Sequence, residues 1–298
     1  MPIARWAFNI RQELLLEHIQ PLVTSLTDSD KPNIVPATNL LTFLPKIECD
    51  RLLQFRAEDD TRRALIGRLM IHAFFVAYHD CKWEELIFSR SEGNKPILLE
   101  PAHLKDVSFN ISHHGNWVIL AGDMSIRSSV RIGVDVMDFS EQGEFETFSS
   151  CFQEQFTPAE FAYMNDAPHD LNAPTSTNNF RRFNRMWCLK ESVVKALGTG
   201  IVYDLQSFEF LVHEEETMEP PVTSTKMRVH RATEDLNEQG WTFEEALLDD
   251  NHCYAIAAHR PGTDTEGGES ILDGSKIQRL DWKELLKDAR KYPVRFQY

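Results

Sequence analysis

The chain has 298 residues, enough for one large core or two modest ones. A hydrophobic share of 42% and a charged share of 26% exclude a chain too polar to collapse. A formal net charge of -15 excludes a general binder of phosphate backbones, whose affinity comes from clustered Lys and Arg, and no nucleic-acid partner is expected.

From Met1 through Arg5 and Trp6 to Arg11 there is no continuous apolar run, and Glu13 and Glu17 weigh against a transit peptide. The most apolar stretch, Ile34 to Pro45, is too short for a bilayer and carries two prolines, so no membrane partner is expected. The periodicity of Leu65, Leu69, His72-Ala73 and Val76 predicts a helix over Asp60 to Tyr78, with Arg62, Arg63 and Arg68 interspersed. Val107 to Ile111, Trp117 to Ala121 and Ile132 to Met137 are short, β-branched and bounded by Gly, Asn or Ser, which predicts strands. Residues 166 to 179 and 261 to 274 are rich in turn formers and read as exposed segments, the second closing the main fold. Beyond it, Ile277 to Lys287 reads as a short amphipathic helix, and a tail with Pro293 either straps back or dangles. The five cysteines, Cys49, Cys81, Cys151, Cys188 and Cys253, are odd in number and form no C-x-x-C pair, which fits a reducing compartment; a cytoplasmic, cytosolic protein is expected.

No period of 20 to 50 residues stands out. On either side of about residue 130 the chain offers a long helix plus several strands. The expected fold is therefore α+β, with two similar lobes, 1–130 and 131–262, meeting at a cleft, then a linker and tail over 263–298.

Two clusters carry chemistry. Ile132-Gly133-Val134-Asp135-Val136-Met137-Asp138 places an acid in an apolar strand, where it needs a cation or donors; alone, a turn cap or an Arg pair accounts for it. Trp187 to Gly200 is good helix material ending at glycines, with Trp187, Glu191 and Lys195 sharing a face at i, i+4 and i+8. Alone, a surface ion pair between Glu191 and Lys195 accounts for that pattern. The adjacent His113 and His114 point to opposite faces of a strand, and no Cys or third His stands at ligand spacing, so zinc is not expected.

Taken together, the clusters resemble the signature of the phosphopantetheinyl transferase superfamily, a (V/I)G(V/I)D strand followed by (F/W)-x-x-K-E-(A/S)-x-x-K. Ile132 to Asp135 match the first half; Trp187, Lys190, Glu191, Ser192 and Lys195 match the second. Phe109-Asn110-Ile111-Ser112-His113-His114-Gly115 is similar to the family's F-N-(V/I)-S-H segment, and Gly93-Asn94-Lys95-Pro96 to its G-x-K-P turn. Gly67 to Ile71 and Trp241 to Glu245 resemble the animal type, and the likeness runs over roughly residues 5 to 260.

The resemblance implies a monomer with pseudo-twofold lobes and its active site in the cleft, moving phosphopantetheine from coenzyme A to a serine of acyl- or peptidyl-carrier protein domains. Acceptors would be fatty acid synthase and aminoadipate-reductase-like enzymes. It implies Mg²⁺ on Asp135 and Glu191, with Glu191 also taking the serine proton and Lys195 contacting phosphate. Arg56, Arg90, Lys95, Ser112 and His113 would bind the CoA phosphates, His113 near the 3′-phosphate. These residue types suit a reaction whose diphosphate must be neutralised where charge develops. Met137 stands where surfactin-type members carry a third acid; water, or His114 through water, would complete the coordination. Carriers of the family are acidic, and the five basic residues between Arg181 and Lys195, flanked by Phe180 and Phe183, are expected to form a docking rim. The alternative reading is a non-catalytic module of the same fold that binds CoA or a carrier protein.

Overall fold

The structure is a computed structural model that describes residues 3–12, 38–91, 95–126, 129–140, 144–166, 175–200, 203–212, 218, 220–232, 234–262 and 270–290. Seven α-helices and eleven strands are assigned among them. The helices are α1 (Thr38–Leu41), α2 (Lys46–Leu52), α3 (Glu58–Tyr78), α4 (Phe145–Ser150), α5 (Pro158–Asn165), α6 (Thr175–Leu197) and α7 (Trp282–Leu286). The strands are β1 (Ile3–Asn9), β2 (Ile87–Arg90), β3 (Pro96–Glu100), β4 (Phe109–His114), β5 (Trp117–Asp123), β6 (Arg131–Asp138), β7 (Phe208–Leu211), β8 (Lys226–Val229), β9 (Trp241–Asp249), β10 (His252–His259) and β11 (Gln278–Arg279).

Two sheets organise the molecule, one ordered β11-β1-β5-β4 and the other β6-β10-β9; β2-β3 and β7-β8 are separate ribbons. Strand alternation gives each sheet two apolar faces. Trp6, Phe8, Val118 and Leu120 pack with α3 in one core, while Ile3, Ala7, Ile119 and Ala121 of the same strands turn to the other sheet. There they meet Ile132, Val134 and Val136 of β6 and Tyr254, Ile256 and Ala258 of β10 in a core between the sheets. On its far side the second sheet packs Phe243, Cys253, Ala255 and Ala257 against Phe183, Met186, Leu189, Val193 and Ala196 of α6. The layers therefore run helix, sheet, sheet, helix.

Polar side chains join the sheets along β4 and β6. Ser108 Oγ, Asn110 Oδ1 and His114 Nδ1 accept the backbone N–H groups of Ile132, Val134 and Asp138 at 3.0, 3.1 and 2.7 Å. Alternate residues of one strand thus satisfy donors on the open edge of another. On β9, the successive acids Glu244 and Glu245 point to opposite faces. Glu244 takes Arg5 of β1 at 2.8 Å and Glu245 takes Arg185 of α6 at 2.7 Å, so one strand grips both neighbouring layers.

Helix α3 and strands β4 to β6 coincide with the sequence expectations to within a few residues. The C-terminal part differs. Ile277 to Lys287 is not one helix: Gln278 and Arg279 pair in parallel with Trp6 and Ala7, and α7 follows, capped by Asp281, with Trp282 against Phe8 at 4.9 Å. Ile271 and Leu272, within the stretch expected to be exposed, are buried between the sheets. Residues 167–174 and the tail around Pro293 lie outside the described residues.

Helix α6 lies directly on β6 because Gly133 has no side chain. A Cβ there would stand 1.9 Å from the Ser192 carbonyl oxygen and 2.4 Å from the Ala196 nitrogen, both backbone atoms that cannot step aside. Gly133→Ala should therefore cost about 3 kcal/mol in urea unfolding. Gly67→Ala, whose methyl meets the movable end of Ile111 at 3.3 Å and Val118 Cγ1 at an ordinary 3.9 Å, should stay within about 1 kcal/mol of wild type.

Candidate active site

Because β6 alternates, Ile132, Val134 and Val136 face the inter-sheet core while Gly133, Asp135 and Met137 face α6. Asp135 is 5% exposed. Its Oδ1 accepts from Ser112 Oγ at 2.8 Å and from Lys195 Nζ at 2.5 Å, and Lys195 Nζ also donates to Ser112 Oγ at 2.8 Å. Asp135 Oδ2 is buried without a hydrogen-bond partner. An orphaned carboxylate oxygen in an apolar strand is costly, which makes it a ready acceptor for a cation.

Glu191 stands one turn before Lys195 on the same face of α6. Its carboxyl is raised above the usual range, first by burial and then by the negative charge of Asp135, with Lys195 pulling the other way. The two acids, separated by 56 positions of sequence, therefore feel each other across the site. That is the electrostatic mark of carboxylates gathered where positive charge is wanted.

Beside this pair opens a cavity of about 550 Å³ lined by residues 48–113 on one side and 191–200 on the other. Six cations line it, Arg51, Arg63, Arg68, Arg90, Lys95 and Lys195, against two carboxylates, Glu48 and Glu191. In a chain of net charge -15 that is a concentrated positive pocket, fitted to a ligand bearing several negative charges. Lys95 Nζ donates to the Lys195 carbonyl at 3.2 Å, linking the two sides. Burial, then the charge of Arg131, lowers the Lys95 ammonium, and burial likewise lowers Arg68 and Arg90. His113 is exposed at the cavity wall; loss of solvent around its ring, then Arg63 and Lys195, holds its imidazolium below the ordinary range.

Of the residues singled out in the sequence, Arg90, Lys95, Ser112, His113, Glu191 and Lys195 line the cavity, and Asp135 bonds to two of them. Arg56 is exposed and outside the lining. Arg51, Arg63, Arg68, Glu48 and His72 were missed. The helix periodicity that placed Arg63 and Arg68 on α3 was a usable signal for those two, whereas α2, which carries Glu48 and Arg51, gave none. His114 is committed through Nδ1 to the Asp138 N–H, and Asp138 lies 3.3 Å from His252, away from Asp135. Met137 packs into the apolar cluster beneath α6.

Only part of the expected docking rim is available at the surface: Arg181 is exposed and Arg182 half-buried. Arg185 is bound bidentately to Glu245 and Lys190 is buried against Glu160, while Phe180 and Phe183 are core residues. Partners distant in sequence consumed those charges.

His72 is fully buried at the cavity floor, its Nδ1 against the Arg68 carbonyl at 3.0 Å and its Nε2 4.0 Å from Glu48. Burial pushes its pKa down from 6.5 to about 4. The unfolded chain therefore takes up a proton that the folded one refuses, so this stability is full above pH 6.5 and is lost as pH falls towards 4. Replacing His72 by Phe should flatten that slope by up to about 3 kcal/mol in urea titrations at stepped pH.

Comparison with known proteins agrees with this geometry. A family model described as the N-terminal part of 4′-phosphopantetheinyl transferase matches residues 31–125, and that of the 4′-phosphopantetheinyl transferase superfamily matches residues 131–257. The chain is 30% identical over 259 residues to a phosphopantetheinyl transferase of Thraustochytrium sp., covering 85% of this chain and 80% of the relative. It is 28% identical over 258 residues to the L-aminoadipate-semialdehyde dehydrogenase-phosphopantetheinyl transferase of Mus musculus, covering 81% and 77%, and 27% identical over 255 residues to that of Homo sapiens, with the same coverage. With both halves of the family in order along most of its length, the chain belongs to the 4′-phosphopantetheinyl transferase superfamily and is an enzyme of that activity.

Proposed function

We propose that the enzyme transfers the 4′-phosphopantetheine of coenzyme A to a serine of acyl- or peptidyl-carrier domains, releasing 3′,5′-ADP, with CoA held in the cationic cavity. The observation that carries this reading is the meeting of Asp135, Lys195 and Ser112 at hydrogen-bond distance on the wall of that cavity. The cavity's position between residues 48–113 and 191–200 supports the view that the active site is a cleft between two lobes, 1–130 and 131–262. One long helix backing each of two facing sheets supports a pseudo-twofold relation between them.

The residues fit Mg²⁺. Asp135 Oδ2 is free to accept a cation, and Glu191 adds a second carboxylate. Among the described residues no group of three or more His, Cys, Asp or Glu is arranged to hold a metal ion, so the protein would offer two carboxylates and leave the remaining positions to water and substrate phosphate, as this ion prefers. When bound there, Mg²⁺ would neutralise the diphosphate and the charge that builds on the leaving 3′,5′-ADP.

The protein's own groups do the rest. The carrier serine oxygen forms a bond to the β-phosphorus as the bond to the bridging oxygen breaks, and the serine proton passes to Glu191, directly or through water. A carboxyl held above its usual range by burial and by Asp135 is a better base than a solvated one. Lys195 meets the phosphates as a point charge. Arg90, Lys95, Ser112 and His113 hold the phosphates of the nucleotide end, with Arg51, Arg63 and Arg68 taking the place expected for Arg56. Fatty acid synthase and aminoadipate-reductase-like carriers are the proposed acceptors, met by a monomeric, cytosolic enzyme. No helix among the described residues is long and apolar enough to cross a membrane.

Incubation with Mg²⁺, CoA and an apo-carrier should raise the carrier's mass by one phosphopantetheine; an unchanged mass across carriers of several pathways would favour the non-catalytic module. Asp135→Asn and Glu191→Gln should each lower kcat by about 100-fold or more. Arg51→Ala should raise KM for CoA by about tenfold with kcat little changed, whereas Arg56→Ala should leave both near wild type.

A further inference from the structure

Lys190 belongs to the signature helix, yet its ammonium turns away from the cavity. It is 0% exposed, lies 2.9 Å from Glu160 Oε2, and donates to the carbonyls of Leu205 at 2.6 Å and Phe208 at 3.0 Å. Three acceptors occupy the three hydrogens of an ammonium, so none is left for a phosphate. Glu160 is as deeply buried, 1% exposed, and accepts the N–H groups of Thr157 at 2.8 Å and Phe210 at 3.0 Å. The first of these closes the capping box of α5.

One ion pair thus ties together α6 immediately before Glu191, the start of α5, and the turn from Leu205 into β7. Gln206 pins the same turn to the carbonyls of Gln153 and Phe156 at 2.8 and 3.0 Å. Tyr203, Asp204 and Leu205, at its head, wall a second cavity of about 480 Å³ that shares Glu191, Val194 and Gly200 with the first. A fully buried pair contributes little net stability once desolvation is counted; it does fix geometry.

We propose that Lys190 and Glu160 are positioning residues that hold the Tyr203–Leu205 wall in place opposite Glu191, neither of them touching CoA or carrier. The proposal rests on the reading of Glu191 as the group that receives the serine proton.

The test compares Glu160→Gln, Lys190→Met and the double variant Lys190→Met/Glu160→Leu, which leaves no buried charge unpaired and serves if a single variant does not fold. Amide hydrogen exchange over residues 203–210, CoA affinity by calorimetry, and kcat for carrier modification are measured on the full chain. Each variant should speed exchange over 203–210 and lower kcat by about tenfold, with the Kd for CoA within about twofold of wild type. Loss of CoA affinity in Lys190→Met alongside wild-type kcat in Glu160→Gln would overturn the proposal and make the lysine a phosphate ligand. Unchanged exchange over 203–210 in all variants would overturn it as well. A wild-type enzyme that leaves every carrier unmodified overturns the proposed function instead, and the exchange data then decide on the wall alone.

Discussion

The site depends on the contact of two backbones, α6 lying on β6 over Gly133. The glycine is required for space and not for an unusual φ: the Ser192 carbonyl, the Ala196 nitrogen and the Lys195 carbonyl carbon all fall within 3.0 Å of where a Cβ would sit. Two positions along the same face is Asp135, and the side chain leaving the helix at the contact is Lys195, so their meeting at 2.5 Å follows from the approach itself. The polar seam between β4 and β6 adds Ser112 to the same point. Sequence positions 112, 135 and 195 are brought to one place by a missing methyl group and a row of alternating polar side chains.

Charge is arranged with similar economy. The chain is acidic overall, yet the cavity beside Asp135 and Glu191 gathers six cations and two carboxylates. Such a pocket focuses field lines locally, whatever the sign of the distant surface. Two further basic residues of α6 serve as internal ties: Arg185 to Glu245, Lys190 to Glu160. Both are bidentate or multiply bonded and both are buried, the condition under which a charge can be carried inside a protein.

Much of this is legible in the sequence. The period of α3 and the alternation of β4 to β6 are strong because each element buries a full apolar face. Asp135, Glu191 and Lys195 stood out because an acid inside an apolar strand and an acid–base pair on a helix face are chemically conspicuous in combination. What escaped was tertiary in origin. Arg51 and Arg56 look alike in sequence, and only the placement of α2 puts one on the cavity and the other in solvent. Arg185 and Lys190 looked like surface charges because Glu245 and Glu160 lie 60 and 30 positions away. The two-residue strand β11 is too short for any periodicity to reveal.

That short strand has a wider consequence. Without it β1 would be the margin of its sheet, presenting unpaired amide and carbonyl groups along an apolar segment, which is a template for adding a strand from another molecule. Gln278 and Arg279 occupy part of this margin, and α7 closes over Phe8 behind them. Residues remote from the chemistry thereby cover part of an edge that would otherwise be open to strand addition.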